Sequence, residues 1–184
     1  MRTNLDGEAM ISDEAVAWFF MGEGCLTITL EKNKNHAWKE GLRPVPKIIL
    51  VNTDRELLEE IKKWLETKGI PAWLYKKKVA ENRKDAYQLI MASGFKRSKR
   101  LVNFLLPHLK GVKKEEGILF KQFIERFERK GGGSNSPKFI QKEKERFAEI
   151  LNWIRRFSML NPNRRRRGAR YERLYQLFSS CSST

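Results

Sequence analysis

AVAWFFMGEGCLTITL, residues 15–30, opens as an unbroken apolar run from Ala15 to Met21, is interrupted by Glu23 between Gly22 and Gly24, and resumes as an alternation. Upstream, Ser12 supplies an N-cap and Asp13 and Glu14 an acidic first turn, so the pattern predicts a helix over 13–21 ended by the two glycines. Downstream, Leu26, Ile28 and Leu30 alternate with Thr27, Thr29 and Glu31, the period of a strand with one buried face. Glu23 therefore stands at a helix C-terminus, the negative end of the macrodipole and a poor place for a carboxylate. Its flanking glycines remove side chains and permit close backbone approach or unusual dihedrals. Locally, two readings stand side by side: a solvated acid at the tip of a turn, or a carboxylate within reach of a second macromolecule.

Working outward, element types alternate. KIILVN (47–52) reads as a second strand. In TDRELLEEIKKWLETKGIP (53–71), Thr53 and Glu56 fit a capping box, Leu57, Leu58, Ile61, Trp64 and Leu65 form an apolar stripe, and Gly69 with Pro71 stops the helix. AWLYKKKV (72–79) and DAYQLIMAS (85–93) predict a hairpin, and FKRSKRLVNFLLP (95–107) a basic helix ended by Pro107. Beyond residue 112 the pattern is wholly helical. Ile118, Leu119, Phe123 and Phe127 form one stripe and Phe147, Ile150, Leu151, Ile154 and Phe157 another, on either side of GGGSNSP (131–137). Tyr171, Leu174, Tyr175 and Phe178 share a face of a last short helix, as core or interface aromatics do. The predicted fold is α+β, in the order αββαββα with a four-stranded antiparallel sheet, followed by C-terminal helices. The domain division expected is a core over 1–130 and a helical extension over 131–184 packed on it.

The 184 residues carry 38 Lys and Arg against 22 Asp and Glu, a formal charge of +16. Such an imbalance costs self-repulsion and points to a polyanionic partner, nucleic acid above all; a solvated basic surface is the plain alternative. An anionic membrane ranks below both, because the helices are not divided into a basic and a broad apolar face. The apolar run Ala15–Met21 is far short of the roughly 20 residues that span a bilayer. With two cysteines, Cys25 and Cys181, and no signal-peptide pattern, a soluble protein of a reducing, intracellular setting (cytoplasm, nucleoid or organelle) is expected. His36 and His108 are too few for histidine-centred nuclease or zinc sites, the cysteines lack metal-ligand spacing, and no P-loop pattern is present.

VAWFFMGEG with CLTI, NTDRELLEEIKKWLETKGI, YQLIMAS and LVNFLLPHLKGVKK, in that order over about residues 13–130, resembles one complete copy of the LAGLIDADG homing endonuclease domain. The sequence departs from the motif at Trp18, where a small glycine is usual, and at Met21, where the first acid is usual. Glu23 matches the second acid, the one with which the family binds divalent metal. The resemblance implies a saddle-shaped sheet, motif helices packed side by side, and, with one copy per chain, a homodimer on a roughly palindromic double-stranded DNA target. It assigns the metal to Glu23 with Gly22. Hard oxygen ligands completed by water and phosphate suit Mg²⁺. The implied reaction is metal-assisted hydrolysis of one phosphodiester bond per strand.

The family's lysine near the reacting phosphate corresponds in HLKGVKKEE to Lys113, with Lys110 as the alternative. For contact with DNA, polar strand positions can reach base edges from a groove-bound ribbon, which makes Thr27, Thr29, Glu31, Lys47, Tyr75, Lys77 and Gln88 candidates. Lys96, Arg97, Lys99 and Arg100, and the run NRRRR (163–167), can grip phosphates. Three function classes follow: a site-specific endonuclease encoded in an intron or intein; a non-cleaving intron-RNA maturase or DNA-binding regulator of the same fold; and a structural RNA-associated basic protein. The intact Glu23 with its glycines favours the first over the second, and the match across both αββ halves counts against the third.

Overall fold

The computed structural model describes residues 11–32, 42–77, 84–128 and 137–160. Its elements are α1 (Asp13–Glu23), β1 (Gly24–Lys32), β2 (Leu42–Asn52), α2 (Arg55–Thr67), β3 (Trp73–Lys77), β4 (Ala86–Ser93), α3 (Phe95–Leu105), α4 (Gly111–Phe127) and α5 (Pro137–Met159). The α+β class and the αββαββα order are those the patterning predicts. The four strands form one sheet in the order β1-β2-β4-β3, with β4 antiparallel to both neighbours. The glycine-rich stretch 131–136, the arginine run 163–167 and the last helix expected over 171–178 lie outside the described residues.

The chain divides into two compact units, one from the segments ending at Thr27 and running Val45–Ile124, the other from Ile28–Pro44 and the chain from Glu125 onward. In the first, α1 begins at Ser12, whose side chain accepts from the Ala15 N–H at 3.1 Å, and buries Val16, Ala17 and Phe20. The helix runs two residues beyond the predicted end: Gly22 and Glu23 stay helical, and the Gly24 N–H closes the last turn on the Phe20 carbonyl. In α2 the buried stripe is Leu58, Ile61, Trp64 and Leu65. Its cap is a correction to the sequence reading, since Asp54 rather than Thr53 accepts from the Leu57 N–H, at 3.0 Å. A carboxylate is a strong N-cap and also favours the positive helix end, which explains why it prevails over the neighbouring hydroxyl.

Side-chain ties join these helices. The Trp64 indole N–H donates to Asp13 Oδ1 at 2.9 Å, and Lys68 Nζ lies 2.8 Å from the same oxygen. The hydrogen bond from Lys68 holds the Asp13 carboxyl below the usual carboxylate range, against the opposing effect of burial. Opposite β2, the register of β4 shifts by one residue between Ile48 and Ile49, leaving Met91 as the extra residue of a bulge. Just beyond it, Gly94 takes φ +86°, a value open to glycine at little cost, and its N–H and the buried Ser98 hydroxyl both donate to the Pro46 carbonyl, at 2.9 and 3.0 Å. These bonds fix the start of α3, whose buried stripe is Ser98, Leu101, Val102 and Leu105.

In the second unit, α5 buries Phe147, Ile150, Leu151, Ile154 and Phe157, the stripe expected from the sequence. Phe127 at the end of α4 meets Trp153 edge-on at 6.3 Å, Arg146 donates to the Phe127 carbonyl at 2.6 Å, and Arg126 pairs with Glu149 at 3.0 Å. Among the described residues, no helix is long and apolar enough to cross a membrane.

Candidate metal centre and nucleic-acid face

Everything around Glu23 follows from how α1 ends. Phe20 is fully buried, and its ring and carbonyl come so close to Gly24 that an added Cβ would sit 2.2 Å from Cδ2 and 2.3 Å from the carbonyl oxygen. Only glycine fits there. Neither Gly22 nor Gly24 has a positive φ, so close approach rather than unusual dihedrals accounts for Gly24. Gly22 is different: a Cβ there would meet nothing within 4 Å, and the chain's own packing gives no reason for it. Glu23, the last residue of the helix, is exposed.

The segment leading into α4 braces this helix end. The Lys110 N–H donates to Met21 Sδ at 3.3 Å, and the Lys110 ammonium stands 5.1 Å from the Trp18 ring centroid. Met21 is half-buried and so uses its thioether where the usual motif carries an acid. Lys113 Nζ donates to the Gly24 carbonyl at 2.7 Å and to Glu116 Oε2 at 3.0 Å. Of the two lysines proposed from sequence, Lys113 is therefore the one whose ammonium touches the residue next to Glu23, whereas Lys110 is spent on Trp18. Glu116 was missed by the sequence reading. Its one signal is the i, i+3 spacing from Lys113, which on a helix reads equally well as a surface pair.

At this end of α1 a chain offers a cation one carboxylate and main-chain oxygen such as that of Gly22. Among the described residues, no group of three or more His, Cys, Asp or Glu side chains could hold a metal ion. Hard, sparse donors of this kind fit an ion that keeps water and takes phosphate oxygens, and do not fit a closed zinc cage.

The sheet sorts the strand candidates by alternation. Leu26, Ile48, Leu50 and Leu89 are buried on one side. In the first unit Thr27, Lys47, Tyr75, Lys77 and Gln88 occupy the alternate positions, with Val51, Gln88 and Tyr75 in one cross-strand row and Lys77 opposite Ala86. Thr29 and Glu31 lie on the part of β1 that belongs to the second unit, where Glu31 is 3.7 Å from Arg43. Lys96, Arg97, Lys99 and Arg100 are on α3, outside the strands. Arg97 stacks 5.1 Å from the Trp73 ring centroid and Arg100 donates to the Gly69 carbonyl at 3.3 Å, so both also serve local structure.

The LAGLIDADG endonuclease family model matches residues 16–124, more than half of the chain. The chain belongs to the LAGLIDADG endonuclease family. Solved structures with the same fold include three homing endonucleases. I-TnaI is 19% identical with a TM-score of 0.62, covering 92% of this chain and 99% of its own. I-CvuI, in complex with its target and calcium, is 15% identical with a TM-score of 0.60 and 82% coverage of each chain. The archaeal intron-encoded I-Vdi141I, complexed with DNA, is 17% identical with a TM-score of 0.58, covering 81% of this chain and 83% of its own. No curated protein sequence matches this LAGLIDADG chain.

Proposed function

We propose that this LAGLIDADG protein is an intracellular, site-specific homing endonuclease that acts as a homodimer and hydrolyses one phosphodiester bond in each strand of a long, pseudo-palindromic DNA site. The observation that carries the reading is the exposed Glu23 carboxylate, offered at the end of an apolar helix whose terminus is held by Lys113. Glu23, with the Gly22 carbonyl, would hold Mg²⁺, which supplies an activated water and stabilises the departing oxygen. Crystals of I-CvuI with calcium and of I-CvuI with magnesium and DNA support a divalent ion of this class. The Lys113 ammonium adds fixed positive charge where a phosphate would gather negative charge. Thr27, Lys47, Tyr75, Lys77 and Gln88, with Thr29 and Glu31, would read base edges. Lys96, Arg97, Lys99 and Arg100 would neutralise phosphates, consistent with the +16 charge.

The homodimer rests on α1. Trp18 is 59% exposed within the apolar run Ala15–Met21 of α1, and Ala15 and Gly22 are exposed with it. A second copy laid on that side would cover the indole and give the vacant space at Gly22 an occupant. The deciding experiment is cleavage, with Mg²⁺, of the uninterrupted allele of the gene that this reading frame interrupts. Double-strand cuts by the wild type and none by Glu23→Gln support the proposal; binding without cleavage by the wild type assigns the chain to the non-cleaving maturase or regulator class.

A further inference from the structure

Glu116 is a carboxylate only 1% exposed, in a protein with a large excess of positive charge. Burial of a carboxylate is costly unless a partner and hydrogen bonds compensate, and even then an apolar side chain of similar size often serves stability as well or better. Its partner is unusual in its own right. Lys113 lies in the first turn of α4, the positive end of that helix dipole, where a cation is disfavoured, and its side chain is only 15% exposed. Two costs are thus set against each other at one spot. From there the ammonium reaches 2.7 Å to the Gly24 carbonyl, one residue from Glu23. Gly117, the next residue of α4, lies close to that segment: a Cβ there would come within 2.9 Å of Leu106 Cδ1 and 3.1 Å of Leu109 Cδ1, so the helix packs against the residues that brace α1.

We propose that Glu116 is a positioning residue that holds the Lys113 ammonium against the Gly24 carbonyl, and thereby fixes the charge beside the end of α1 where Glu23 is offered. Its catalytic consequence rests on the endonuclease reading above; the positioning itself does not. A lysine ammonium has three protons. Glu116 and Gly24 accept two, and with both directions set the third is aimed rather than free to rotate. Without the carboxylate, a four-carbon side chain regains its rotamers and turns to water.

The test uses the full-length protein labelled with ¹⁵N-lysine, the wild type being compared with Glu116→Gln, Glu116→Asp, Glu116→Met, Lys113→Met and the double Lys113→Met/Glu116→Met variant. In the wild type the Lys113 ammonium should exchange slowly with water and give a resolved signal, assigned by its loss in Lys113→Met. The signal should persist in Glu116→Gln, which keeps an acceptor oxygen in place, and broaden in Glu116→Asp, which withdraws the charge by one carbon. Glu116→Met should abolish it. Single-turnover cleavage with Mg²⁺ should slow about tenfold or more in Glu116→Met, and under threefold in Glu116→Gln, with DNA affinity unchanged. In the Lys113→Met background, removing Glu116 should cost nothing further, because its effect passes through the lysine. An ammonium signal unchanged in both Glu116→Asp and Glu116→Met overturns the proposal, as does an equal loss of rate with or without Lys113. Should Glu116→Met not fold, Glu116→Asp decides by the same signal. A wild type that never cleaves defeats the endonuclease reading, while the ammonium signal still decides whether Glu116 positions Lys113.

Discussion

The end of α1 and the first turns of α3 use positive charge in opposite ways. Lys113 is nearly enclosed and held by two oxygens, whereas Lys96, Arg97 and Arg100 are exposed and lean on their surroundings through at most a stacked ring or a carbonyl. A fixed, desolvated charge can act on one bond at one place, because it needs no reorganisation when the reaction occurs. Exposed charges instead raise affinity for any polyanion and are screened by salt. The two regions should therefore separate cleanly into chemistry and binding.

The largest expected effect tests the chemical side. Glu23→Gln should lower cleavage by more than about a hundredfold while DNA affinity stays within a few fold and the thermal transition is unmoved. A variant that cleaves like the wild type would erase the distinction at its strongest point.

On the binding side, a dimer making roughly ten phosphate contacts should show a slope of log K against log salt of about −9. Each α3 cation that touches a phosphate should flatten the slope by about one when replaced by alanine, without changing the preferred sequence. Lys96→Ala should do so with no change in stability. Arg100→Ala should also cost roughly 0.5–1.5 kcal/mol of folding energy, since its bond to the Gly69 carbonyl is lost. Substituting Lys77 or Gln88 on the sheet should alter sequence preference more than slope. A slope near zero for the wild type would sink the electrostatic half of the comparison.

The two glycines around Glu23 sharpen it at closer range. Gly24→Ala forces a methyl into Phe20 and should destabilise by about 1–3 kcal/mol, read from denaturant midpoints. Gly22→Ala meets nothing and replaces a helical glycine, so it should stabilise the isolated chain by roughly 0.5–1 kcal/mol. If α1 is the dimer contact, the same change should weaken self-association in sedimentation. Opposite signs at two positions flanking one acid would assign Gly24 to the fold and Gly22 to the partner.

The smallest effect is at the other end of α1. Because Lys68 holds the Asp13 carboxyl below its ordinary value of 3.8, the pair's stabilisation is complete above that value and is lost as pH falls through the lower, folded-state value. Asp13 is partly exposed and screened, so Asp13→Asn should cost only about 1 kcal/mol at neutral pH and remove that acid limb from the stability profile.

Much of this was legible in the chain itself, because it depends on periodicity and local chemistry. The Ser12 cap, the alternation from Leu26 onward, the stripes of α2 and α5 and the order of elements need no knowledge of distant neighbours. Local signals became ambiguous where two neighbours compete, as at Thr53 and Asp54, and where a glycine may either end a helix or continue it, as at Gly22. What only the tertiary structure decided were the meetings across long stretches of chain. Phe20 lies over Gly24 because the core takes its ring, which decides between the two uses a glycine there could have, in favour of close approach over unusual dihedrals. Lys113 reaches the carbonyl of Gly24, 89 residues away, and Lys110 is drawn instead to Met21 and Trp18. Residue type and spacing determined that a carboxylate ends an apolar helix before a sheet; they carried no information about which lysine would be folded against it, because that depends on the angle at which α4 packs and not on any period along the chain.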